Sequence, residues 1–478
     1  MQTQGVDIVM AKLSIMDLAF FLTETDASPK HVGGLLMFRK PTKADAGYVE
    51  QVVAEYAGNI NEMRAPFNQI IKFSRFSAPQ WQVDSQFNIE NHVFFHTLAG
   101  HDFRESLYAE VSELHSTRLD KSRPMWEMHV FQGIDDQRFA IYTKLHHAYA
   151  DGVTMSSWLV NSLSKSARTK SVTPIWSVLP QKRLQNTADS ISIMKVLTQL
   201  GGRYGDYFRA FAGLSKLSTQ LALESLHLTK NAVAVPFKAN PNTPLTGQVS
   251  AGRQIATAAV DMDRVTRLRK QTRSTLNHIA LTCIDGALHR YLQDCECDID
   301  EPITIQMPVN LRRRGDDSLG NKIGIVLVEL ASKTTDPYER LREIGFTLRN
   351  VRYQIDGVPP ASVMAYTVLL GSLSLVGEAL KLGDVLPPLG NTLVSNVPGP
   401  AKPLYLKGAK LEEMYPLSAL TPSNHLNITL YSYDGRLQFG LVASQAMPNL
   451  DILSDYIHDA FDDLEDAVSP NRSKVEQK

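Results

Sequence analysis

Lys144-Leu145-His146-His147-Ala148-Tyr149-Ala150-Asp151-Gly152 joins two periodicities. Ahead of it, Phe139-Ala140-Ile141-Tyr142-Thr143-Lys144-Leu145 alternates as a strand does; behind it, Val153 to Val160 fits the start of a helix. Side chains alternate along an extended backbone, so the two adjacent histidines point in roughly opposite directions. One can face a cavity while the other is packed. Asp151 and Gly152 close the turn into the helix. A lone histidine pair reads as a buried pair bonded to backbone. The full pattern His-His-x-x-x-Asp-Gly, at a strand-to-helix junction, points instead to chemistry.

The surroundings are those of an ordinary globular protein: 478 residues, 43% hydrophobic and 21% charged. That length predicts two domains. Lys and Arg number 49 against 50 Asp and Glu, a net charge of −1, so no nucleic-acid partner is expected. Of the three cysteines, Cys283 sits in an apolar helical run, and Cys295 and Cys297 flank Glu296 in an acidic loop. They form neither a disulfide framework nor a metal pattern, and a reducing cytoplasm fits them. Met1 to Met10 carry no basic flank leading into an apolar run, and no stretch reaches the roughly 18 apolar residues of a membrane span.

Working outward, Leu13 to Glu24 reads as a helix capped by Ser14, followed by a strand through His31-Val32-Gly33-Gly34 to Phe38. Helices are predicted near 44–57 and 105–115, and strands near 69–73 and 81–83. Arg123-Pro124-Met125-Trp126 precedes the strand ahead of the histidines, and Trp126 reads as a packing residue. The stretch 168–185 is polar and proline-punctuated and reads as a linker. Ile191 to about Thr229 has helical spacing, and a new unit opens near 251. There a strand (254–260), a helix from 263 and a helix from 274 lead to Ile303–Met307 and Pro308-Val309-Asn310-Leu311-Arg312. Helices over 337–355 and 361–380 follow, then Ser395-Asn396-Val397-Pro398-Gly399-Pro400, whose last residues read as a strand stop. Asp434-Gly435 between alternating runs signals a hairpin, and an amphipathic helix spans 452–467.

The histidine pattern resembles the signature of the CoA-dependent acyltransferase superfamily. The early Leu-Ser-x-x-Asp, the His-Val-Gly-Gly, the Pro-x-Trp, Asn277, Pro308 to Arg313 and Ser395 to Pro400 together resemble bacterial wax ester synthase/diacylglycerol acyltransferases over nearly the whole chain. Two departures stand out. Met125 replaces the family's leucine, a volume-conserving change, and His278 stands where the family has an aspartate. The resemblance implies an α/β fold of two chloramphenicol-acetyltransferase-like domains, with the active-site tunnel between them. The expected limits are 1–185 for the first domain, 186–250 for a helical connector and 251–478 for the second domain.

It also implies the chemistry: acyl transfer from acyl-CoA to a fatty alcohol or to diacylglycerol. His147 is then the general base, with direct attack preferred because no Gly-x-Ser-x-Gly elbow is present. His146 either orients the loop or packs. Asp151 resembles a family aspartate that turns away and pairs with an arginine, for which Arg312 is the candidate, with Asn310 beside it as a structural residue. Gly152 is expected where the backbone turns closely into the helix. Asn277 is the candidate donor to the oxyanion or substrate. Trp126 lies where the family's tunnel would pass. Ala361 and Ala365, small residues on the 361–380 helix, either line the acceptor pocket or allow close helix packing. No metal and no cofactor are expected, acyl-CoA being a substrate. The expected location is cytoplasmic, with peripheral contact to the inner membrane or lipid bodies. The connector 191–238, rich in Lys and Arg, either makes that contact or packs on the domains. A condensation-domain-like enzyme and a non-catalytic lipid-binding protein are the alternative readings.

Overall fold

A computed structural model describes residues 20–73, 79–100, 102–133, 137–178, 239–297, 301–310, 323–331, 334–357 and 387–469, with single helical positions between 363 and 377. Arg312, Ala361, Ala365 and the connector stretch 191–238 lie outside the described residues.

The first half contributes β1 (His31–Arg39), helix α1 (Tyr48–Gly58), the β2 (Gln69–Lys72) and β3 (Gln80–Val83) pair, β4 (Val93–Leu98), α2 (Phe103–Ser116), β5 (Trp126–Gly133), β6 (Arg138–His146) and α3 (Gly152–Asn161). The second half contributes β7 (Arg253–Asp261), α4 (Met262–Thr272), α5 (Leu276–Asp294), β8 (Thr304–Asn310), β9 (Ile323–Glu329), α6 (Pro337–Asp356), β10 (Thr392–Pro398), β11 (Tyr405–Leu406), β12 (Ala409–Leu417), β13 (Leu426–Tyr433), β14 (Arg436–Ser444) and α7 (Leu450–Val468). These strands form two six-stranded mixed sheets, ordered β11-β12-β1-β6-β5-β4 and β7-β14-β13-β10-β8-β9. The α/β class is that expected.

The sheets do not follow the chain's halves. β12, far along the second half, pairs antiparallel with β1, Gly33 opposite Leu417. Arg39 and Arg138 of the first half both pair with Glu412 of β12. The sheets also meet directly. The Gln438 side chain on β14 accepts the Met414 N–H of β12 at 2.6 Å. At Gly440 a Cβ would come within 2.0 Å of the Pro416 carbonyl oxygen, so this close approach admits only glycine.

Burial explains the element patterns. Both faces of β6 are covered, and eight of its nine residues are buried, which suits its near-continuous apolar run. One cluster, on Phe38, Ile141, Leu145 and Trp126, lies against α1 and α3; a second, on Leu35, Tyr142 and Phe131, lies against α2. A third fills the second sheet between α5, α6 and α7. The hairpin turn at Asp434-Gly435 has positive φ at both residues, as a two-residue hairpin requires. The stretch 168–178 is not a free linker. Trp176 is fully buried against Tyr56 and Trp126, and its indole N–H donates to the Asn59 carbonyl at 3.2 Å.

Candidate active site

The histidine turn is held from three sides. His146 is the last residue of β6 and lies opposite His31 of β1. Its N–H donates to the Met125 carbonyl at 3.0 Å. Tyr149 braces the loop: its hydroxyl accepts the Met125 N–H at 3.0 Å and donates to the Gln69 carbonyl. Asp151 is the N-cap of α3. Its Oδ1 accepts the Thr154 N–H at 2.7 Å and its carbonyl accepts the Met155 N–H at 2.9 Å.

The two histidines do part, as alternation demands. His146 is fully buried. Its Nδ1 accepts the Ala148 N–H at 3.0 Å, so the proton sits on Nε2, 3.7 Å from Glu24 Oε1. Burial first, then the positive field of Lys121, His147 and Lys30, lowers its pKa to about 3. His147 is half-buried in the turn; its N–H donates to the Lys30 carbonyl at 2.8 Å. Its ring is stacked on Phe20, centroids 4.3 Å apart with 23° between planes. His31 is buried and meets His115 edge-on at 4.7 Å, a structural setting.

The helix after the turn touches the second sheet. Ser156 Oγ on α3 donates to the Tyr431 hydroxyl on β13 at 3.1 Å. Val397 and Tyr431, near the carboxyl ends of the parallel strands β10 and β13, share a core with Met155, Trp158 and Leu159 of α3. One residue before Val397, Asn396 Nδ2 donates to Asn277 Oδ1 at 2.7 Å. Both asparagines are exposed. This bond occupies Oδ1 of Asn277 and leaves its NH₂ free to turn to another acceptor. His278, the neighbour that departs from the family, turns the other way. It is buried, and its Nδ1 is 3.5 Å from where a Cβ on Gly345 of α6 would stand. Burial, then Arg349, lowers its pKa.

Trp126 packs, as its sequence position suggests, and the expectation for Gly152 needs correction. Trp126 has no exposed surface: it is enclosed by Phe67, His92 and Trp176, and its indole N–H donates to the Phe67 carbonyl at 2.8 Å. Its side chain is wholly committed to this packing. Gly152 is exposed, and a Cβ there would meet no atom within 4 Å. No close turn requires it. Asn310 ends β8 opposite Ile323. Of the 361–380 helix, Val363, Tyr366 and Leu370 are buried in the core, while a Cβ on the half-buried Gly371 would meet open space. Phe20, Glu24 and Asn396 were not singled out from the sequence. Phe20 and Glu24 lie in a stretch that reads as a plain capped helix, and Asn396 in one that reads as a turn. Among the described residues no group of three or more His, Cys, Asp or Glu could hold a metal ion.

Residues 13–280 match the wax ester synthase/diacylglycerol acyltransferase catalytic domain, and residues 319–465 match the WS/DGAT C-terminal domain. A Mycobacterium tuberculosis protein named for diacylglycerol O-acyltransferase activity is 32% identical, the alignment covering 95% of this chain and 98% of that one. The O-acyltransferase WSD of Acinetobacter baylyi is 28% identical over 96% and 98% of the two chains. Among solved structures, a wax ester synthase/diacylglycerol acyltransferase from Marinobacter aquaeolei is similar with a TM-score of 0.73 and 27% identity, covering 95% of this chain and 99% of that one. The starter condensation domain of rhizomide synthetase shares the fold at a TM-score of 0.54 and 14% identity, covering 97% and 96%. The chain belongs to the wax ester synthase/diacylglycerol acyltransferase family and is an acyltransferase.

Proposed function

We propose that this acyltransferase moves a long-chain acyl group from acyl-CoA to the hydroxyl of a fatty alcohol or of diacylglycerol, by direct attack assisted by His147. The observation that carries the reading is the separation of the two histidines. His146 is enclosed, and its Nδ1 is committed to the backbone. His147 is half-buried on the same turn, ahead of the helix α3 that packs on the second sheet. The neutral His147 imidazole takes the hydroxyl proton as the oxygen attacks the thioester carbonyl. The tetrahedral oxyanion then collapses, the C–S bond breaks, and the imidazolium returns the proton to the CoA thiolate. The products are the ester and CoA. The Asn277 amide, oriented by Asn396, is a donor to the oxyanion or substrate. No separate cofactor is needed, because the thioester is already activated.

The acceptors are nearly insoluble, so peripheral contact with a membrane or lipid-body surface, from the cytoplasmic side, belongs to the same proposal. Among the described residues no helix is long and apolar enough to cross a membrane. The outer face of α6 supports such contact: Phe346 is 63% and Tyr353 82% exposed, and beside them stand Arg349, which suits anionic headgroups, and Arg352, which also pairs with Asp356 at 3.0 Å.

The test is turnover of palmitoyl-CoA with hexadecanol or with dipalmitoylglycerol, followed by CoA release with a thiol reagent. We expect ester formation with one or both acceptors, and a loss of about 10²–10⁴-fold in a folded His147→Ala variant. Near-normal turnover in that variant would refute the base assignment; no turnover by the native protein with either acceptor would refute the substrate class.

A further inference from the structure

We propose that Phe20 is a positioning residue for His147, holding the imidazole plane in the orientation that proton transfer needs. The inference rests on the reading of His147 as the base and extends it to a segment that carries no part of the histidine motif.

His147 lies in a turn just past the end of β6. The near-parallel Phe20 ring, 4.3 Å away, covers one face of it. Phe20 is itself anchored through the residues that follow. Lys121 donates to the Phe21 carbonyl at 2.7 Å and its ammonium lies 4.4 Å from the centre of the Phe21 ring. The same ammonium pairs at 3.1 Å with Glu24, whose side chain is wholly buried. Glu24 Oε1 accepts the Lys30 N–H at 3.0 Å, and the Lys30 carbonyl in turn accepts the His147 N–H. The chain from Phe20 to Lys30 thus closes a ring of contacts on the histidine turn: Phe20 lies on His147, Phe21 meets His146 edge-on at 6.1 Å, and Glu24 lies under His146. An ion pair with a wholly buried carboxylate, placed to fix the start of this segment, fixes the aromatic ring on the base.

An aromatic face does two things for such an imidazole. It restricts rotation of the ring, and it favours the imidazolium that forms when the proton arrives. Among the described residues, the titratable groups near the turn include His146 on the turn itself, Glu24 and Lys30 on the N-terminal segment, and Lys121. Phe20→Leu alters none of them and keeps an apolar cover of similar size, so it removes the π face alone.

The experiment measures kcat, KM for palmitoyl-CoA and the pH profile for the native protein, Phe20→Leu and Phe20→Tyr. In parallel, the His147 ring is titrated by NMR on histidine-labelled protein, assigned by difference from His147→Gln. For Phe20→Leu we expect kcat lowered roughly 10- to 100-fold with KM within about threefold. The His147 titration and the acid limb of the profile should move down by about 0.3–1 pH unit. Phe20→Tyr should restore kcat to within about threefold. Native kcat and titration in Phe20→Leu, or equal losses in the Leu and Tyr variants, would overturn the proposal. The titration does not depend on turnover. A displaced His147 titration with activity that is indifferent to His147→Ala would show the stack to be real and the base assignment wrong, which also overturns the positioning role.

Discussion

Asp151 shows how a single side chain in a motif can be tested for what it holds. Its Oδ1 caps α3 through the Thr154 N–H, a task that asparagine performs nearly as well as aspartate. Asp151→Ala should cost about 1 kcal/mol of stability, and Asp151→Asn only a few tenths, with activity close to native. Thermal and denaturant unfolding of the two variants decide it. A loss in the Asn variant as large as in the Ala variant would mean that charge pairing, and not the cap, holds the loop. The histidine turn and the Asp151 cap were legible because the His-His-x-x-x-Asp-Gly motif is local and its residue types are uncommon together. Trp126 reads as a packing residue from its place before a strand, but that place does not say what it packs against; three aromatic residues from other elements decide that. The contacts of Phe20 and of Asn396 were not visible. Each touches a partner far along the chain, and neither an apolar residue in a helix nor an asparagine near a strand's end advertises such a contact.

At the scale of elements, α6 carries the surface expectation. Its inner face, Leu341, Ile344, Leu348, Val351 and Ile355, is buried at helical spacing. Its outer face holds Phe346 and Tyr353 with Arg349 and Arg352. If this face meets lipid, Phe346→Ser with Tyr353→Ser should lower co-sedimentation with phosphatidylglycerol vesicles severalfold at low salt. Changing Arg349 and Arg352 to Gln should remove mainly the salt-sensitive part. Vesicle binding unchanged in both variants would move the contact off α6. The helix itself was readable from period and from Asp336-Pro337 at its start, where Asp336 Oδ1 accepts the Tyr338 and Glu339 N–H groups. The hairpin of β13 and β14 was readable from Asp434-Gly435 alone. The placing of β12 was not. Its partners are the edges of sheets assembled from remote segments, and an alternating run does not say which edge it will meet.

At the scale of the molecule, buried neutral histidines set the response to acid. Burial lowers the pKa of His115 and His146 to about 3 and that of His96 and His289 to about 4; it also lowers those of His31, His92, His129 and His278. Each stays neutral in the folded chain while its unfolded counterpart takes up a proton below about pH 6.5. The stability they contribute is therefore full above that pH. It falls as the pH drops toward the folded pKa values, by up to about 1.4 kcal/mol per pH unit for each histidine. Unfolding midpoints measured between pH 7.5 and 4.5 should decline steeply and continuously below about 6.5. A flat profile to pH 5 would mean that these rings are hydrated or charged in the folded protein.

The crossing of β12 into the first sheet reaches back to the ribosome. Arg39 and Glu412, which pair across that sheet, are 373 residues apart. At elongation rates of about 5–20 residues per second, roughly 20–75 s pass between their syntheses. Through that interval one edge of β1 waits for a partner that has not yet been made, so the unit bearing the histidines is finished only once β12 has left the ribosome.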